Sequence, residues 1–206
     1  ILLAQMPYVM AVNPSLPAKS ARDVITLAKA QPGKVIFASS GAGTSSHLAM
    51  EMFRYMGGVE LLHVPYKGGG PAVTAVMSGE VQGVFNVVTG TLPYVKSGKL
   101  RALAVSSAKR ADIAPDIPTI AESGVPGYEV IAWYNVFAPA RTPRNIVDRL
   151  SAEIARILAA PEMQREIANQ GMEPFMSTPA QFDALMKADL AKYARIIKTA
   201  NIRLEN

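Results

Sequence analysis

Val35-Ile36-Phe37-Ala38-Ser39-Ser40-Gly41-Ala42-Gly43-Thr44-Ser45-Ser46-His47-Leu48 joins an apolar run, a loop of small residues and the start of a periodic segment. Residues 35–38 read as a strand, and Leu48, Met52 and Met56 place a helix over residues 46–56. The same alternation continues downstream. Apolar runs at 61–64, 81–88 and 100–105 read as strands, with helical periodicity at 71–78 and 91–97 between them. Strands and helices joined by short links imply parallel strands and right-handed crossovers. The middle of the chain is therefore expected to be a doubly wound α/β domain.

Upstream, Ser20 and Asp23 resemble a capping box, and Val24, Leu27 and Ala28 form one helical face that ends at Pro32-Gly33. Residues 1–12 are apolar but lack the positive region that opens a signal peptide, so a strand is expected there. The first residue is Ile1 rather than Met, and the chain is expected to begin partway through a longer protein. Downstream of residue 105 comes a proline-rich stretch (Pro115, Pro118, Pro126). It is followed by a second strand leaving the domain at 130–138, where Trp133 and Tyr134 either stack on a ligand or fill a gap between layers. Helices are expected over 143–158, 161–170 and 179–199, the last opened by a Thr178/Gln181 capping box. Phe182, Leu185, Leu190, Tyr193, Ile196 and Ile197 are expected to form its buried stripe.

Composition limits the function classes. Of 206 residues, 50% are hydrophobic and 18% charged, enough apolar material for a real core. The net charge of +5 is scattered, with Lys109-Arg110 the longest basic cluster, which argues against nucleic acid as a partner. The absence of cysteine removes disulfides, thiolate metal sites and a cysteine nucleophile. Two histidines are too few for a histidine-rich zinc site, so no metal and no cofactor are expected. No apolar run approaches the ~20 residues of a membrane span.

In an open parallel sheet the loops after the strands' carboxyl ends share one edge, where ligands bind. Four such loops collect small and hydroxyl-bearing residues: Ser39-Ser40-Gly41-Ala42-Gly43-Thr44-Ser45-Ser46, Pro65-Tyr66-Lys67-Gly68-Gly69-Gly70, Asn86-Val87-Val88-Thr89-Gly90 and Ser106-Ser107-Ala108-Lys109. The first two run into helices, whose free N–H groups and positive dipole ends suit an anion. The glycine pattern matches only part of a dinucleotide fingerprint, no acidic ribose partner follows, and Gly-Lys-Ser/Thr is absent. A carboxylate or inorganic oxyanion is the expected guest. No Gly-x-Ser-x-Gly elbow exists, and Ser45, Ser46 and His47 are neighbours only in sequence, so no catalytic residue is expected. His47 reads as a first-turn residue at the cleft margin, and His63 as a satisfied core imidazole.

Several runs resemble the Bug family, the extracytoplasmic solute receptors of tripartite tricarboxylate transporters: Val12-Asn13-Pro14-Ser15-Leu16-Pro17, the loop from Ser39 on to Ala49, His63-Val64-Pro65-Tyr66-Lys67-Gly68 and Gly98-Lys99-Leu100-Arg101-Ala102-Leu103-Ala104-Val105. Asp116-Ile117-Pro118-Thr119-Ile120-Ala121-Glu122-Ser123-Gly124 and Gly171-Met172-Glu173-Pro174 extend the likeness over essentially the whole chain. The resemblance implies a two-lobed, type II periplasmic-binding-protein fold with a parallel-rich sheet in each lobe. Residues 14–130 would be the second lobe, and 1–13 with 131–206 the remainder of an incomplete first lobe. The implied function is capture of a small carboxylated solute in the periplasm and delivery to membrane subunits, without covalent chemistry. The expected ligand contacts are Ser40, Gly43, Thr44, Ser45 and Ser46 as anion donors, Tyr66 and Lys67 for orientation and charge, and Asn86 and Thr89 at the distal end. The family usually has aspartate where this chain has Asn86, and Asn-Leu-Pro where it has Val87-Val88-Thr89. The family's opening segment is also absent, which leads to an expectation of dimers or strand exchange for this chain. A rival class with the same fold is the cytoplasmic effector-sensing domain of a transcription regulator.

Overall fold

A computed structural model describes residues 1–199 of the chain. Two compact units are found, one built on Ile1–Met6 with Ala132–Ala194, the other on Pro7–Ile131.

The larger unit alternates as its periodicity requires: α1 (Ala21–Ala30), β2 (Ile36–Ser39), α2 (Ser45–Gly57), β3 (Leu62–Pro65), α3 (Gly69–Ser78), β4 (Gly83–Val87), α4 (Val88–Lys96) and β5 (Arg101–Val105). Its sheet runs β3-β2-β4-β1-β5, where β1 is Leu2–Val12. β2 is parallel to β3 and β4, but β1 is antiparallel to both β4 and β5. Residues 1–13 are expected beside the C-terminal helices, but Tyr8 to Val12 pair with β4 at the centre of this sheet. The physical reason is burial on both faces. Every residue from Met6 to Val12 is buried, as in a central strand covered by helices on either side.

Local signals explain the helix ends. Ser20 caps α1 by accepting the Asp23 N–H at 3.2 Å, and the left-handed Gly58 (φ 59°) closes α2. The start of α4 differs from expectation: it begins at Val88, three residues ahead of residue 91, so the apolar run 81–88 is cut by a helix start directly at the strand end.

In the smaller unit, β6 (Ile131–Asn135) is followed by α5 (Arg144–Leu158), α6 (Pro161–Asn169), β7 (Glu173–Pro174) and α7 (Pro179–Thr199). β6 and β7 pair with β1, Ala4 and Gln5 lying antiparallel to Pro174 and Glu173. Trp133 packs edge-on against Phe182, with ring centroids 5.5 Å apart, and its indole N–H donates to Asp189 Oδ2 at 2.9 Å. That assigns Trp133 to packing. The stripe expected on α7 is incomplete, because Phe182 and Ile196 are buried but Leu190 and Ile197 are exposed.

Candidate functional site

Because β1 is antiparallel to both of its neighbours, β5 runs the same way as β4, β2 and β3. The carboxyl ends of all four therefore open on one edge of the larger unit. Three helices start there side by side: α2 after β2, α3 after β3 and α4 after β4. First-turn N–H groups have no intrahelical acceptor. Among the described residues those of Ser45, Ser46, Gly69 and Gly70 find none elsewhere. Three positive dipole ends and these donors make the edge a ready anion site.

The loop from Ser39 to Ser46 is held by a hydroxyl cluster. Ser40 Oγ lies 2.7 Å from Ser46 Oγ and donates to Thr44 Oγ1 at 3.2 Å, while Thr44 Oγ1 is 3.1 Å from Ser46 Oγ. Thr44 directs its single proton to Gly41 O at 2.7 Å and accepts the His47 N–H at 3.4 Å as the cap of α2. Ser46 is buried and accepts the Ser40 N–H at 2.9 Å, so it supports the loop from below, whereas Ser45 is exposed. The Gly43 N–H, expected to face a ligand, donates instead to His47 Nδ1 at 3.1 Å. The Gly41 N–H donates to Ser39 Oγ at 3.2 Å.

The remaining expected contacts spread out. Tyr66 sends its hydroxyl to Glu80 Oε1 at 2.8 Å, and burial together with that carboxylate pushes the phenol up to about 12. Its backbone N–H donates to Ser39 O, and the Gly68 N–H to Ser40 O at 3.0 Å, which ties this loop to the first one. Lys67 is exposed and forms no ion pair among the described residues. Asn86 is buried, with Nδ2 donating to Thr91 Oγ1 at 3.1 Å. Its Oδ1 lies so close to Gly69 that a Cβ there would meet it at 2.3 Å. Thr89 is half-buried in the first turn of α4.

Three features were not singled out from sequence. Tyr8, opposite Val87 at the end of β4, places its hydroxyl 2.6 Å from Ser45 Oγ. The available signal was a polar-tipped aromatic inside an otherwise aliphatic strand. Ser107, just past β5, has a buried hydroxyl with no partner among the described residues. Behind the first loop, His47 and His63 stack with ring centroids 3.9 Å apart and planes 9° from parallel. His63 Nε2 is 2.7 Å from Ser39 Oγ, and His47 Nε2 is 3.7 Å from Glu51 Oε1. Burial, with His47 against it, holds the His63 imidazole down to about 4. Burial pushes the Glu51 carboxyl up, but the His47 and Arg54 side chains outweigh it and leave the group below its usual range. Arg54 grips both Glu51 oxygens, at 2.7 and 2.9 Å.

Among the described residues no three His, Asp or Glu side chains converge to hold a metal ion, and no helix is long and apolar enough to cross a membrane.

The model of the tripartite tricarboxylate transporter family receptor matches residues 1–202. The chain belongs to this receptor family. It is 37% identical over 198 residues to a protein from the tcbD-tcbE intergenic region of Pseudomonas sp. strain P51, covering 96% of this chain and 59% of that protein. It is 32% identical to protein BugT of Bordetella pertussis, covering 99% of this chain and 63% of BugT. The chain thus spans less than two thirds of the length of these receptor relatives. Among solved structures, an R. palustris protein with adipate superposes at a TM-score of 0.90 with 35% identity, over 98% of this chain and 68% of that one. The periplasmic binding protein BugD gives 0.85 at 31% identity, over 98% and 68%. MatC of Rhodopseudomonas palustris with bound malate gives 0.84 at 25%, over 95% and 68%. The fold is that of the periplasmic binding proteins, and the family is one of solute-binding receptors rather than enzymes.

Proposed function

We propose that this chain forms the solute-binding body of an extracytoplasmic receptor, which captures a small dicarboxylate and delivers it to the membrane subunits of a tripartite transporter. It binds its solute without making or breaking a covalent bond. The observation that carries the reading is the convergence of the α2, α3 and α4 first turns on one edge of the sheet. One ligand carboxylate sits over the first turns of α2 and α3, taking N–H groups of Ser45, Ser46, Gly69 and Gly70, while the hydroxyl cluster of Ser40, Thr44 and Ser46 holds the loop in shape. Lys67 adds positive charge, and Asn86 and Thr89 face the distal end. The adipate and malate named for two structural relatives support a dicarboxylate as the class.

Calorimetric titration of the full-length protein with adipate, malate and the neutral diamide of succinic acid tests this. Saturable binding of at least one dicarboxylate is expected, with none of the diamide. Equal binding of diamide and diacids, or no binding of any dicarboxylate, would overturn it.

A further inference from the structure

Each end of the glycine loop is held by one member of the histidine stack. His47 Nδ1 accepts the Gly43 N–H at 3.1 Å, and His63 Nε2 meets Ser39 Oγ, which itself accepts the Gly41 N–H at 3.2 Å. Gly43 is exposed with φ 76°, a conformation that L side chains rarely adopt, and its N–H is held only by the imidazole. The loop leads directly into Thr44, Ser45 and Ser46. We propose that His47 is the positioning residue of the anion-binding loop, that it acts only as a neutral imidazole, and that its protonation releases the loop and lowers ligand affinity. The inference rests on the carboxylate reading of the site.

Proton inventory dictates the mechanism. A neutral imidazole has one donor and one acceptor nitrogen. Since Nδ1 accepts from Gly43, Nε2 carries the hydrogen, and it faces Glu51 Oε1. A second proton must go to Nδ1, where it meets another N–H head-on and the bond is lost. The groups against His47 are Glu51 from α2, itself held by Arg54, and His63 from β3. Glu51 pairs the new charge at its own end of the ring, so little of it reaches the bound anion to compensate. His63 opposes the change further, because a second charge on rings 3.9 Å apart is repulsive. Its own imidazole, held down to about 4, stays neutral across the pH range of the test.

The test measures adipate affinity of the full-length protein from about pH 8 to about pH 6, within the range where imidazole changes charge. The comparison is wild type, His47→Asn and His47→Leu, each checked for folding by its melting curve. Asparagine offers an Oδ1 acceptor close to the Nδ1 position and cannot take a proton; leucine offers no acceptor. Wild-type affinity is expected to fall toward acid by more than it does in His47→Asn, whose residual slope reports the ligand's own titration. His47→Leu should bind about tenfold more weakly than wild type at about pH 8, as for one lost hydrogen bond, with the difference closing toward acid, and His47→Asn should recover most of that loss. Parallel slopes in wild type and His47→Asn, tighter binding at acid pH, or wild-type affinity in His47→Leu at about pH 8 would each overturn the inference and leave the carboxylate reading intact. So would imidazole nitrogen shifts showing His47 protonated at Nδ1 at neutral pH, a readout that needs neither ligand nor variant. Failure of wild type to bind any dicarboxylate would overturn both.

Discussion

Thr44 concentrates three tasks in one hydroxyl. It caps α2 through the His47 N–H, fixes the turn through Gly41 O and joins Ser40 and Ser46 in the cluster at the loop. Valine matches its shape but has neither donor nor acceptor. Thr44→Val should therefore cost about 1 kcal/mol of stability as a lost cap. By loosening the turn that presents the Ser45 and Ser46 N–H groups, it should also weaken dicarboxylate binding by about 1 kcal/mol. Urea unfolding and calorimetry on the same variant read the two effects, and unchanged affinity would show that the loop keeps its binding shape without the Thr44 hydroxyl. Thr44 was nameable beforehand because a hydroxyl residue between a glycine loop and a periodic segment is a capping signal. The partner of the Gly43 N–H was not, because a histidine four residues on turns back to it only once α2 has formed.

At the scale of elements, the contact between α3 and β4 shows how closely the helix starts crowd the sheet edge. Gly69 occupies the first position of α3, and Asn86 Oδ1 fills the space that a Cβ would need. Its φ is outside the left-handed region, so the constraint is steric alone. Gly69→Ala should push Asn86 off its 3.1 Å bond to Thr91 and destabilise the protein by about 1–3 kcal/mol. Replacing Asn86 by alanine in the same chain should recover part of that loss, because the obstructing amide is then gone. A double-mutant cycle by urea unfolding measures the coupling, and strictly additive costs would show that the two residues do not press on each other.

For the whole molecule, acid is the informative perturbation. His63 has its folded value lowered to about 4, against about 6.5 for an unfolded histidine, so unfolding takes up a proton between those values. Stability is then complete above about pH 6.5 and declines as the pH falls toward about 4. Glu51 acts in a lower window: its carboxyl is held below the usual range, so its contribution is lost only as the pH falls below about 4.3. The urea midpoint should drop between about pH 6.5 and about pH 4.5, and His63→Phe, which keeps a ring on His47, should flatten that drop. An equally steep curve in the variant would assign the acid sensitivity to other groups.

The periodic signals of the chain determined its local structure. Strand, glycine loop and helix recur because period-2 and period-3.6 burial cannot be mistaken for each other over whole segments, and Ser20 with Asp23 or Thr178 with Gln181 mark helix starts through their own bonds. The placement of several hydroxyl and glycine loops after strand ends was likewise legible. Only the tertiary structure decided the rest. An apolar strand carries no mark of its direction or neighbours, so the antiparallel insertion of β1 between β4 and β5, and with it the arrival of Tyr8 at the loop edge, depends on sheet pairing. The His47–His63 stack depends on how α2 packs on β2 and β4 beside β3, which brings together two residues that no local rule connects.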